Sequence, residues 1–144
     1  MLSVLIGILT FMLVIIELTI GFSTLALVNV PRIVIRSRSF KIKIAHLSNT
    51  IGNITVSGLE YIFKLMHGNK IQVIDDGCQD KEKWYIAMSN HSSWADIFNI
   101  LIASNNKIPL VKFFMKKELS WIPFIFLANK TLNMPFVHRH SRSE

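Results

Sequence analysis

Between Met1 and Val30 a single ionisable side chain, Glu17, interrupts an otherwise apolar and neutral run. A helix needs roughly 20 such residues to cross the hydrocarbon core of a bilayer. The run is longer than the apolar stretch of a cleaved signal peptide, about 7–15 residues, and no basic residue precedes it. Residues 1–30 therefore read as an uncleaved transmembrane anchor. A charged Glu17 would cost roughly 2.5–3.5 kcal/mol at mid-bilayer. Either it is protonated in a straight span or it marks the break of a re-entrant hairpin, and the pattern leaves both open.

The next block, residues 31–68, is a basic segment followed by an amphipathic helix. Leu47, Ile51, Ile54, Leu59, Ile62 and Met66 recur at near-helical spacing, which predicts a helix over 44–67. "HGN" at 67–69 supplies its stop. That helix lies either along the membrane surface or on the domain core. Beyond it the period changes. "KIQVID" (70–75) reads as a short strand. "WYIAMSN" (84–90) is a nearly continuous apolar run, as in a strand covered on both faces. "SSWADIFNILIAS" (92–104) turns helical, "IPLVKFF" (108–114) is a strand candidate, and "KKELSWIPFIFLANK" (116–130) is helical with a break near Pro123. "MPFVHR" (134–139) is a last strand. Strands alternating with helices predict an α/β domain with a mostly parallel sheet over residues 69–144, behind the membrane helix.

Charge and cysteine content narrow the class. Arg32, Arg36, Arg38, Lys41 and Lys43 follow Pro31 with no acid among them, and they explain much of the net charge of +7. Basic residues flanking a span stay on the cytoplasmic side and attract anionic headgroups. Their place beside an apolar anchor points to lipid, not nucleic acid. The one cysteine, Cys78, excludes a disulfide framework and a cysteine-based metal site. It sits in a polar loop without a basic neighbour, so it reads as an ordinary thiol in a reducing compartment.

The stretch "NHSSWAD" (90–96) carries the chemistry. His91 falls at the predicted C-terminal end of a buried strand, where open α/β sheets bind ligands. Ser92 or Ser93 is the candidate N-cap; if it is Ser93, Asp96 falls in the first helical turn, within approach of His91. A carboxylate that accepts from one imidazole nitrogen fixes the tautomer and leaves the other nitrogen as a base. This is the orienting half of triad logic without a nucleophile, so the base would act on a substrate hydroxyl. The plain alternative is structural: Ser93-x-x-Asp96 resembles a capping box, and His91 is then a polar turn residue. His138 and His140 alternate on one strand face but have no third ligand nearby, so no metal site is expected. Trp94 and Trp121 read as core or interfacial aromatics.

Asn90, His91, Ser93 and Asp96 match N-H-x-S-x-x-D, the first motif of the glycerolipid acyltransferases. "KKELSWIPF" (116–124) and "MPFVHR" (134–139) resemble two further segments of that family in the same order. Across roughly residues 84–142 the chain resembles the 1-acylglycerol-3-phosphate acyltransferases, most of all their membrane-bound bacterial branch. The resemblance implies phospholipid synthesis at the cytoplasmic face of the inner membrane. His91 would be the base and Asp96 its orienter. The acyl donor would be acyl-CoA or acyl carrier protein, as a substrate, with no cofactor. Arg139 would hold the phosphate of a lysophosphatidate-type acceptor through a bidentate fork. Lys116 and Lys117 are further candidates for phosphate or headgroup contact, or else form a solvated basic turn; Ser93 is a further candidate for acceptor contact, and Arg142 either assists Arg139 or lies on the surface.

The sequence departs from the family in two ways. A third block around Glu-Gly-Thr/Ser-Arg does not occur before Glu144, so the resemblance covers the opening half of a catalytic domain. The alternative expectation is thus an inactive, truncated, membrane-associated fragment with a lipid-binding role or none. Phe126 stands where relatives carry Gly. A membrane-anchored hydrolase fits less well, because no G-x-S-x-G turn would present a nucleophilic serine.

Overall fold

The structure is a computed structural model and describes residues 2–68, 80–90, 92–93 and 95–137. Among them the chain is mostly helical, with one small parallel sheet. Helix α1 (Leu2–Asn29) is 28 residues long. At about 1.5 Å per residue that is roughly 42 Å, more than the ~30 Å of a hydrocarbon core. Among the described residues it alone is long and apolar enough to cross a membrane. The core helix of a soluble protein would be covered on most sides, yet Leu5, Ile8, Phe11, Ile16 and Leu27 of α1 are exposed. Pro31 cannot donate to the α1 ladder and instead opens the short α2 (Pro31–Val34).

Helix α3 (Arg38–His67) begins at Arg38, not at residue 44 as the apolar pattern predicted. Lys and Arg are good helix formers, so the basic run extends the helix where apolar periodicity alone could not register it. Gly68 ends α3 with φ +61°, and its N–H bonds the Lys64 carbonyl at 3.0 Å. Only a residue without Cβ enters that left-handed conformation at little cost.

The chain forms two compact units. In the first (Met1–Gly21 and Thr50–Val111), α1 and α3 pack antiparallel. Thr10 Oγ1 lies 3.1 Å from His67 Nε2. Further along, the Glu17 carboxyl lies against Gly58, and Thr55 lies against Gly21. The two glycines let the two helix backbones approach closely. Val14, Val56 and Leu59 fill the seam. Helix α4 (Ala95–Ser104) belongs to the same unit, with Ile102 buried and the Phe98 ring 6.0 Å from that of Phe63.

In the second unit (Phe22–Asn49 and Lys112–Glu144), β1 (Met115–Lys116) and β2 (Phe136–Val137) pair in parallel. Met115 stands opposite Phe136 and Lys116 opposite Val137. A 3₁₀ helix (Lys117–Trp121) and α5 (Pro123–Leu132) form the crossover that parallel strands require. The predicted break at Pro123 falls between these two helices. Ile122 is extended, as a residue before proline prefers, and Pro123 opens α5 in its first turn. Asn133, at φ +55°, ends α5, and the Met134 amide bonds the Asn129 carbonyl at 2.8 Å. Among the described residues of this unit, Leu25 and Leu132 are buried apolar side chains, each contributing roughly 1.5–3 kcal/mol relative to exposure.

The sequence expectation of an α/β domain holds only in its coarse outline. The strand predicted at 108–114 is displaced to Met115–Lys116, and the one at 134–139 is confined to Phe136–Val137. Residues 84–90 form no strand. Trp84 is 99% exposed, Ile86 94% and Met88 92%, so no sheet covers that run. A strand is stabilised by cross-strand pairs, not by its own apolar content, and none of the described residues pairs with it. The strand predicted at 70–75 lies outside the described residues.

Candidate active site

The start of α4 positions the first group of candidate residues. The backbone amides of Ser92 and Ser93 both donate to Asp96 Oδ2, each at 2.7 Å. In return, Ser93 Oγ accepts from the Ala95 amide at 3.0 Å, and the Ser93 carbonyl accepts from the Asp96 amide at 3.1 Å. Ser93 is thus a helix cap, and Asp96 reaches back from the first turn as the acid of a capping box does. The positive end of the helix dipole favours a carboxylate there. Two backbone donors on one oxygen restrain the rotation of the carboxyl group. Ser93 is exposed and Asp96 half-buried.

His91 and Arg139 lie outside the described residues, as do Cys78, Trp94, His138, His140 and Arg142. The described part of the NHSSWAD turn therefore consists of Asn90, Ser92, Ser93, Ala95 and Asp96. Lys116 ends β1 and Lys117 begins the 3₁₀ helix, both exposed. Ser93 and Asp96 belong to the first compact unit, Lys116 and Lys117 to the second. Among the described residues no three His, Cys, Asp or Glu side chains come together as metal ligands.

A polar cluster in the second unit was not singled out by its sequence pattern. Asn29 Nδ2 donates to the Leu25 carbonyl at 2.8 Å and to Ser48 Oγ at 2.9 Å. Arg32 Nη1 donates to Asn29 Oδ1 at 2.9 Å and lies 3.5 Å from the Thr131 carbonyl in the last turn of α5. An amide at the end of an apolar run is the signal that could have revealed it, because polar groups in such runs need internal partners.

An acyltransferase family model matches residues 53–144. None of the curated proteins and none of the solved structures compared with the chain matches it. The matched region takes in the second half of α3, the NHSSWAD turn, α4, the two-stranded sheet and its crossover. Since that match spans well over half of the sequence and contains the turn that Asp96 braces, the chain belongs to the acyltransferase family.

Proposed function

We propose that the chain is a membrane-bound enzyme that acylates a 1-acylglycerol-3-phosphate-type lysophospholipid. The donor is a fatty acyl thioester, acyl-CoA or acyl carrier protein. His91 takes the proton from the free hydroxyl of the acceptor, and the oxygen attacks the thioester carbonyl. A C–O bond forms, the C–S bond breaks, and the departing thiolate is protonated by the imidazolium. Asp96 orients His91 and stabilises the imidazolium while it lasts. Arg139 holds the acceptor phosphate, with Lys116, Lys117 and Ser93 as further contacts. Residues 1–30 anchor the enzyme, residues 31–68 form its juxtamembrane segment, and residues 69–144 supply the chemistry on the cytoplasmic side.

The observation that carries this reading is the braced Asp96 carboxylate within an N-H-x-S-x-x-D stretch of an acyltransferase-family chain. A carboxylate restrained by two backbone donors loses less freedom on aligning an imidazole, which is what a positioned base requires. The test supplies membranes holding the full chain with labelled acyl-CoA or acyl carrier protein and a lysophosphatidate, and follows labelled phosphatidate. Product that depends on both substrates supports the reading. Near-normal turnover by His91→Ala would refute the base assignment.

A further inference from the structure

The second compact unit exposes a stretch whose side chains alternate in an unusual way. Along residues 112–116, Lys112, Phe114 and Lys116 are exposed, while Phe113 and Met115 are half-buried. An extended backbone puts every second side chain on one side, so the outward side reads Lys, Phe, Lys. The 3₁₀ helix continues it with Lys117 exposed and then Trp121 and Ile122 exposed. Phe114 is 76% exposed and Trp121 86%, values that a folded aqueous surface rarely gives to large aromatic rings.

The same unit contains the C-terminal end of α1, from Phe22 to Asn29, and the basic run after it. Arg36, Arg38, Lys41 and Lys43 are all exposed there, and Val34 and Ile42 are exposed among them. Arg32 ties this region to the last turn of α5. Among the described residues of the unit, Glu118 alone opposes these cations. A protein-covered core would not carry lysines between its aromatics. Aromatic rings interleaved with lysines that outnumber their one acid, in the unit that holds the end of an apolar span, are what the headgroup region of an anionic bilayer accepts.

We infer that residues 112–122 form a second membrane contact, in which Phe114, Trp121 and Ile122 enter the headgroup region and Lys112, Lys116 and Lys117 meet anionic lipid phosphates. This rests on α1 being a membrane anchor, but not on the catalytic assignment. The contact would hold the two strands and their crossover, Met115 to Val137, against the surface from which a lipid acceptor is drawn.

Trp121 is its own reporter. In the full chain with Trp84→Phe and Trp94→Phe, Trp121 is the sole tryptophan. The protein is placed in vesicles of phosphatidylglycerol and phosphatidylcholine that contain lipids brominated either near the glycerol or deep in the chain. Flotation reports the anchor separately. The expected result is flotation together with loss of most Trp121 emission to shallow bromines, weak quenching by deep ones, and protection from aqueous acrylamide. Changing Lys112, Lys116 and Lys117 to Gln should reduce the shallow quenching while flotation persists. Flotation with Trp121 quenched by acrylamide as readily as free indole overturns the inference, and so does shielding from both lipid and acrylamide, which would mean a protein cover. Failure to float overturns it through the anchor. If the double Phe variant fails to fold, Trp121→Phe with Phe114→Trp, read against Trp121→Phe alone, gives the same comparison at the other ring.

Discussion

Asn29 Nδ2 donates to Ser48 Oγ at 2.9 Å, joining the end of α1 to α3 where both residues are buried. The bond is one edge of a larger cluster. Asn29 Oδ1 accepts from Arg32, and Ser48 Oγ also donates to the Ile44 carbonyl. The two partners are therefore not equivalent. Removing the amide leaves Arg32 short of an acceptor, whereas removing the hydroxyl leaves Arg32 untouched. Asn29→Ala should destabilise the chain by about 1–3 kcal/mol, and Ser48→Ala by less. Thermal unfolding of the detergent-solubilised protein checks the order, and equal losses would show that the Arg32 edge contributes nothing.

The glycines of the α1–α3 seam give a second ranking. A Cβ on Gly58 would meet the Glu17 carboxyl, the far end of a flexible side chain that can swing aside. A Cβ on Gly21 would meet Thr55, whose Cβ and Cγ2 are close as well as its hydroxyl. Thr55 is β-branched and stiff, and its Oγ1 donates to the Ile51 carbonyl at 3.0 Å, so it cannot turn away without losing that bond. Gly21→Ala should therefore cost about 1–3 kcal/mol, in the range of overpacked cores, and Gly58→Ala clearly less. Thr55→Ser in the Gly21→Ala background should recover part of the loss. The same unfolding assay decides, and equal costs at both glycines would contradict the contact geometry.

How far these features were legible beforehand depends on the kind of signal each leaves. The α1 run, the Gly68 stop and the break at Pro123 rest on local chemistry that any chain must obey, and they lie where the pattern put them. The parallel pairing was legible in kind but not in register, because two-residue strands have too little periodicity to fix their ends. Residues 84–90 misled, since apolar content says that a segment seeks cover but not that cover is present. Asn29 and Ser48 left no periodic trace at all, as one hydrogen bond between residues 19 positions apart is a tertiary event. At the candidate site, Ser93-x-x-Asp96 was readable as a cap, and the hydrogen bonds realise it. The same spacing could not say whether the carboxylate also serves His91.

That double use of Asp96 is separable. Asn at position 96 keeps a carbonyl oxygen for the Ser92 and Ser93 amides but loses the negative charge that would stabilise an imidazolium. Asp96→Asn should therefore preserve helix content and, through loss of the dipole interaction, cost no more than about 1 kcal/mol of stability, while lowering turnover by roughly 10²–10⁴-fold, the usual reach of positioned acid–base chemistry. Circular dichroism and labelled-phosphatidate formation are measured on the same preparation. Ser93→Ala is the complementary variant. It removes the cap and should lower stability by about 1 kcal/mol. A loss of activity no larger than the loss of folded protein in Asp96→Asn would reduce the residue to a cap and take the orienter role away from it.

Arg139 is tested by which kinetic constant moves. A guanidinium that holds the acceptor phosphate contributes to binding before the proton is transferred, so its removal should raise KM for the lysophosphatidate and leave the donor's KM unchanged. Arg139→Lys keeps the charge but loses the fork, and should fall between the native enzyme and Arg139→Ala. An acceptor without the phosphate, a monoacylglycerol, should be used equally poorly by all forms, because the native enzyme then has nothing to grip. If Arg139→Ala instead lowers kcat with KM unchanged, the guanidinium acts on the reacting centre and not on the phosphate.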